Sequence, residues 1–313
     1  MDIDILLMLQ EFRNGFGGIF ASFLNKMTFA GELDTVPVIM AAVYWCFSKA
    51  FGTYLLMGWS GNRILNGALK VTACSYRPWI RDARIIPYGN SMQTATGYSF
   101  PSGHTMNAST VYGGAVVRND MPKALRISLF IVVLLVAFSR IYLGVHTPQD
   151  ILCGIIFGML VMWLTFKLMQ WLEAHPDKDI LVASIGVLLA AAVAVYAAMK
   201  SYPVDYDSNG KILVEGSKMA NDTYRGVGWC AGFLIGWIFE RRYVNFSTDE
   251  ISLVTRITRL TIGLLLYYVF YLIFAQLIKK YVPAPIGSIA SCFVQMFYIS
   301  FIFPYLIKRY ESH

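Results

Sequence analysis

Apolar runs of membrane-crossing length recur along most of this chain, broken by short polar connections. Their positions predict nine spans, at about 35–48, 51–71, 103–117, 124–141, 149–172, 180–199, 223–239, 258–278 and 286–307. The first of these is short and holds Pro37, and the run near 223–239 is short as well. Residues 1–30 follow a different pattern. Apolar clusters (Ile5-Leu6-Leu7-Met8-Leu9, Phe16, Ile19-Phe20, Phe23-Leu24) alternate there with Asp, Glu, Arg, Asn and Lys at roughly helical spacing. That is the pattern of a helix lying in the membrane interface, and an amphipathic cap on a bundle shares it. Longer polar segments fall at 79–100, 200–222 and 241–257, the first expected to roof a site and the second to form a surface loop. Gly154-x3-Gly158 and Gly228-x3-Gly232-x3-Gly236 put small residues on one helix face, which predicts close helix contacts.

Composition agrees with a membrane solvent. Hydrophobic residues make up 57% of the 313 and charged residues 14%, with a mean hydropathy of +0.53. The formal net charge is +7. Its Lys and Arg residues sit at the ends of apolar runs or inside three clusters, with no basic stripe interleaved with aromatics. Lipid headgroups or a phosphate substrate therefore account for the charge better than nucleic acid does. The five cysteines (Cys46, Cys74, Cys153, Cys230, Cys292) form no C-x-x-C pair and no zinc-type spacing, so they read as packing residues, and no metal site is expected. The opening MDIDILLMLQEF lacks a basic stretch, so no cleaved signal peptide is expected.

Chemistry concentrates between Lys70 and Asp150, in Lys70-x6-Arg77-Pro78, Pro101-Ser102-Gly103-His104 and Ser139-Arg140-x5-His146-x3-Asp150. Arg77 and Arg140 offer planar forks and Lys70 a compact cation, a set able to surround the non-bridging oxygens of a phosphate. Any one of them alone reads more readily as a snorkelling residue at a helix end. Pro101-Ser102-Gly103-His104 stands at a helix start, with Pro101 expected in the first turn, Gly103 letting the backbone approach a ligand and His104 placed to protonate a leaving oxygen. Asp150 can fix the tautomer of His146 so that the other ring nitrogen faces phosphorus. Thr147 and Asp150 also have the spacing of a capping pair, and the two roles are compatible. With alternating crossings, all three clusters emerge on one membrane face. Lys and Arg are spread evenly over the two sets of loops, so the positive-inside rule does not choose which face that is.

These eleven identities, in this order, resemble the signature of the type 2 phosphatidic acid phosphatase superfamily, whose core is shared with vanadium haloperoxidases. The resemblance covers residues 70–150 by motif and about 35–200 by span pattern. It implies a six-helix phosphatase core, which with the apolar runs above gives an all-α, polytopic transmembrane helical bundle of about nine spans. A single membrane-integral domain would then comprise an interfacial segment at 1–32, the core at 33–200 and three further spans at 201–313. It implies no cofactor and a metal-independent reaction: His146 carries the phosphoryl group, Asp150 orients it and His104 protonates the departing group. Lys70, Arg77, Ser102, Gly103 and Arg140 would bind the phosphoryl oxygens. By analogy with bacterial members, the site faces away from the cytoplasm.

The expected substrate is a lipid phosphate or polyprenyl diphosphate presented at the bilayer surface. Nine spans and Ser139-Arg140-Ile141-Tyr142-Leu143 are also similar to glucose-6-phosphatase, which keeps a soluble sugar phosphate open. Leu143-Gly144-Val145-His146-Thr147 is similar to sphingosine-phosphate phosphatases. From another class, Arg63 with Asn62 and Asn66 inside the second span is what an anion transporter or a non-catalytic phosphate binder would carry.

Overall fold

The computed structural model describes residues 2–16, 18–33, 35–118 and 120–311. Met1, Gly17, Asp34, Asn119, Ser312 and His313, which fall within the expected segments, lie outside the described residues. So does the side chain of Phe16. The helices in order are α1 (Asp2–Phe16), α2 (Gly18–Met27), α3 (Thr35–Ala42), α4 (Lys49–Ala73), α5 (Pro78–Arg81), α6 (Ser91–Thr94) and α7 (Gly103–Arg118). They continue with α8 (Lys123–Tyr142), α9 (Pro148–Ala174), α10 (Asp179–Met199), α11 (Gly216–Phe239), α12 (Leu253–Tyr281) and α13 (Ile286–Glu311). The last two each contain a π-helical turn, at Tyr271–Ala275 and Tyr298–Ile302. Among the described residues there is no β-strand, only one isolated bridge between Tyr206 and Ile212.

Five helices are long and apolar enough to cross a bilayer: α8, α9, Pro176–Met199, α12 and α13. A sixth is added if Gly18–Gly31 and Thr35–Phe47 form one broken span. On α8, α9, α10 and α12 the exposed positions are Leu, Ile, Val, Phe and Trp in quantity, a surface whose solvent is lipid. This is a multi-pass integral membrane protein. Other expected spans exist as helices of different character. The α7 helix is 16 residues long, and α4 buries Ser60, Asn62, Arg63 and Asn66 along its length. The expected run at 223–239 is the later part of α11, which begins at Gly216 in a polar stretch that periodicity of apolar residues does not mark.

The chain divides into two compact units interleaved along the sequence. One comprises residues 1–36, 65–163 and 200–219. In it α7 and α8 pack side by side, and α1 and α2 lie on α8. Ala21, Leu24 and Tyr142 form the apolar seam there. Arg13 of α1 is buried and donates to the carbonyls of Tyr142 (3.0 Å) and Ile86 (2.7 Å), while Gln10 is bonded to Arg84 O and Ile86 N–H. The amphipathic N-terminal segment thus ties down the 79–100 loop. Helix α9 approaches α7 closely where the glycine pattern said it would: a Cβ on Gly158 would stand 2.5 Å from Ser109 Cβ, and one on Gly154 3.1 Å from Thr105 Cβ.

The other unit comprises residues 37–64, 164–199 and 220–313. Gly228, Gly232 and Gly236 of α11 abut Ile289, Phe293 and Ser300 of α13 so tightly that a side chain at any of them would collide. Trp45 anchors the N-terminal part of this unit, donating to Ile299 O at 2.9 Å and packing edge-on against Phe303.

Candidate active site

All three clusters fall within the first unit, and the local folding of each follows from its residues. The α8 helix ends beyond Arg140 in a tight reversal. Gly144 takes φ +76°, and the N–H groups of Val145 (3.1 Å) and His146 (3.2 Å) return to the carbonyl of Arg140. Only glycine adopts that backbone conformation without strain, so Gly144 is what brings His146 back over the end of the helix carrying Arg140. Beneath the turn, Leu143 and Val145 are buried with Ala95 against Trp79 and Tyr88.

Helix α9 then starts at Pro148 with Thr147 before it. The Thr147 N–H donates to Asp150 Oδ2 at 2.8 Å and the Asp150 N–H to Thr147 Oγ1 at 3.4 Å, a reciprocal cap. The same Oδ2 accepts from the Ser99 hydroxyl at 2.5 Å and from His146 Nδ1 at 3.2 Å. Both roles foreseen for Asp150 are therefore carried by one oxygen. At the other end of the ring, Arg77 Nη1 lies 2.8 Å from His146 Nε2. A guanidinium can only donate, so Nε2 is the bare nitrogen and Nδ1 carries the hydrogen that Asp150 receives. Burial, reinforced by the Arg77 charge, holds the His146 pKa well below the usual imidazole value, which keeps the ring neutral at neutral pH.

Arg77 is itself buried. Its donors go to the carbonyls of Gly97 (3.1 Å), Thr96 (3.1 Å) and Val145 (2.9 Å) as well as to His146. Burial lowers its pKa to about 10, partly offset by Asp150, so it remains a cation at neutral pH. Lys70, in the last turn of α4, donates to Tyr98 O at 2.8 Å. The segment 96–99 thus supplies a row of carbonyl oxygens that positions two cations, a more intimate role for the 79–100 loop than a roof.

Ser102 precedes α7 and caps it, its Oγ accepting from Thr105 N–H (3.4 Å) and Thr105 Oγ1 (3.0 Å). Pro101 therefore lies one residue before the cap, not in the first turn as its sequence suggests. The Ser102 N–H donates to Asp150 O at 3.1 Å, joining the starts of α7 and α9. A Cβ on Gly103 would touch only Asn66 Oδ1, at 3.7 Å, so the first turn of α7 has open space beside it. The cations that act on His104 are Arg140, Arg77 and Lys70, and its Nε2 is buried without a hydrogen-bond partner among the described residues.

Arg140 is fully buried, and none of its three guanidinium nitrogens meets a hydrogen-bond partner among the described residues. A buried cation in that condition is costly unless an anion joins it. All eight candidate residues come together in this unit. Ser99, which orients Asp150 and stands 3.3 Å from His146 Nδ1, gave no signal in the sequence beyond lying three residues ahead of Ser102. Arg81 and Arg84 are engaged elsewhere, pairing with Asp2 and Asp82. Among the described residues no group of three or more His, Cys, Asp or Glu side chains is placed to hold a metal ion, and all five cysteines are free.

A multi-pass membrane protein with a buried cluster of cations around an oriented imidazole has the makings of a phosphohydrolase. The chain belongs to the PAP2 superfamily: residues 41–174 match that family, and residues 224–312 match the PAP2 superfamily phosphatase, transmembrane extension. It is similar to undecaprenyl-diphosphatase of Sulfolobus acidocaldarius, 38% identical over 158 residues, 50% of this chain and 72% of that protein. It is also similar to phosphatidylglycerophosphatase B of Bacillus subtilis, 32% identical over 140 residues. That match takes in 42% of this chain and 64% of the Bacillus protein, less than two thirds of its length. Lipid A 4'-phosphatase of Bacteroides thetaiotaomicron is 25% identical over 228 residues, 64% of this chain and 97% of that protein. No solved structure matches the chain.

Proposed function

We propose that this protein is a metal-independent phosphatase of a lipid phosphate or polyprenyl diphosphate, working through a phosphohistidine on His146. The observation that carries the reading is Arg140, a buried guanidinium with no hydrogen-bond partner in the same cluster as a neutral, carboxylate-oriented imidazole. The substrate's phosphoryl oxygens bind Arg140, Arg77, Lys70, the Ser102 hydroxyl and the backbone at Gly103, displacing Arg77 from His146 Nε2. The Nε2 lone pair attacks phosphorus and the bond to the leaving oxygen breaks, with His104 giving that oxygen its proton. His104, now neutral, takes a proton from water. The hydroxide breaks the P–N bond, releasing inorganic phosphate and restoring His146. Asp150, held by Ser99 and Thr147, stabilises the charge that the ring gains. The cations supply the electrostatic stabilisation that a metal supplies elsewhere.

In the bilayer, the proposed arrangement is a single working unit. Residues 1–32 lie in the interface, 33–200 form a six-helix phosphatase core and 201–313 add three spans, nine crossings in all. The clusters then share one face, the extracytoplasmic one, beside headgroups whose tails stay in lipid. Similarity to relatives named for undecaprenyl diphosphate, phosphatidylglycerophosphate and lipid A supports a lipid substrate.

The test is phosphate release by purified protein in EDTA, offered a polyprenyl diphosphate, phosphatidate, sphingosine phosphate and glucose 6-phosphate. Turnover of a lipid, lost in His146→Ala, is expected. Turnover of glucose 6-phosphate alone would reassign the substrate class, and inhibition by EDTA would overturn the metal-free chemistry.

A further inference from the structure

Arg63, buried within α4, takes no part in the catalytic cluster, and its own surroundings are cationic. It lies in the second unit with its guanidinium 5.4 Å from the Trp229 ring, and its Nε is buried without a hydrogen-bond partner. Arg225 of α11 stacks on the same ring at 5.1 Å and likewise has a buried Nε without a partner. Trp229 is fixed by its own N–H, which donates to Gln295 at 3.2 Å. The carboxylate nearby is Asp222, 3.6 Å from Arg225 and the countercharge that Arg63 feels.

Arg225 also lines a cavity of about 350 Å³ between α11, α12 and α13, together with Asn221, Lys279 and Ser288. Ser288 donates its hydroxyl to Asn221 Oδ1 at 2.5 Å, which leaves the amide NH2 as the end of Asn221 that can serve a ligand. Lys279 forms no ion pair among the described residues and sits 5.8 Å from the Tyr271 ring. Three cations against one carboxylate, two of them with guanidinium atoms buried among the helices and the third at the exposed rim, leave an excess of positive charge that attracts an anion. The donors are a guanidinium, an ammonium and an amide, the set that grips phosphate oxygens.

From this we infer that the second unit contains a second, non-catalytic site for a phosphate group, built from Arg225, Lys279 and Asn221 and reinforced by the buried charge of Arg63. Free phosphate and the headgroup of an anionic phospholipid present the same chemistry to it. Its residues are separate from those of the catalytic cluster, so it can bind in a chain that does not turn over.

The experiment uses the full His146→Ala chain, which cannot consume its ligand, and counts dioctanoyl phosphatidate bound per chain by native mass spectrometry from a neutral detergent. Two bound molecules are expected, with dioctanoyl phosphatidylcholine binding at neither position. Adding Arg140→Gln should remove one, and adding Arg225→Gln or Lys279→Gln should weaken the other at least fivefold. Displacement of that second molecule by inorganic phosphate identifies a free-oxyanion site; resistance to phosphate identifies a lipid site. Should Arg225→Gln fail to fold, Lys279→Gln at the exposed rim and Ser288→Ala carry the same test. Phosphatidate binding that is indifferent to both Lys279→Gln and Arg225→Gln, whatever the number bound, would overturn the inference.

Discussion

Arg140 sets function against stability within one side chain. Its guanidinium is fully buried without a hydrogen-bond partner, a costly condition for a cation, and under the proposed function a phosphate relieves it. Arg140→Met should therefore lower kcat/KM by about 10²–10³ while raising the thermal midpoint in detergent. A variant that loses both activity and stability would mean that Arg140 is held by the fold rather than kept for a ligand. His146 makes a prediction in pH. Because its pKa is depressed by burial and by Arg77, the neutral ring that the proposed attack requires persists as pH falls through 6.5 and is lost only below that. Corrected for ionisation of the substrate, kcat/KM should hold level to about pH 6.5 and fall at lower pH. A limb centred above 6.5 would assign the titration to another group. At this scale the sequence picked out by type and spacing the residues that the fold gathers in one unit, but it missed Ser99. A hydroxyl's role depends on which oxygen it reaches, here an Asp150 oxygen 51 positions away.

Among elements, the decisive one is the turn 140–146 that joins Arg140 to His146. Its geometry rests on Gly144 at φ +76° and on two N–H groups returning to the Arg140 carbonyl. Gly144→Ala would place a side chain in the left-handed region at a cost of about 1–2 kcal/mol. It would also shift His146 relative to Arg140. Expected results are a thermal midpoint lower by several degrees and a fall in kcat of at least tenfold; full activity would mean that the turn tolerates displacement. Helix limits were largely readable, as the close match between the expected run 103–117 and Gly103–Arg118 illustrates. The start of α11 was not, because Gly216–Asp222 is a polar stretch with no apolar period to follow.

For the whole molecule, the proposed nine crossings place the 79–100 loop and the 200–215 segment on one face and the α9–α10 turn on the other. Single cysteines in a cysteine-free chain test this. With the site facing outward, Arg84→Cys and Ser208→Cys should react with a membrane-impermeant maleimide in intact cells, and Asp177→Cys only after lysis. All three sites are exposed in the fold, so accessibility differs only through the bilayer. The opposite pattern would invert the orientation, and labelling of Arg84→Cys without Ser208→Cys would break the span count.

The sequence alone determined that this is a helical membrane protein with the family's three residue clusters between Lys70 and Asp150, because hydropathy and motif spacing are local properties that survive without coordinates. It determined the partnership of Thr147 with Asp150, since three residues along a helix start is a fixed distance. What only tertiary structure decided were the contacts between segments far apart in the chain. The carbonyls of 96–99 hold Arg77 and Lys70, Arg13 pins the N-terminal helix to the loop bearing Ile86, and Arg63 and Arg225 share one tryptophan ring. Each depends on how helices pack side by side, and the spacing of residues along a single helix carries no record of its neighbours.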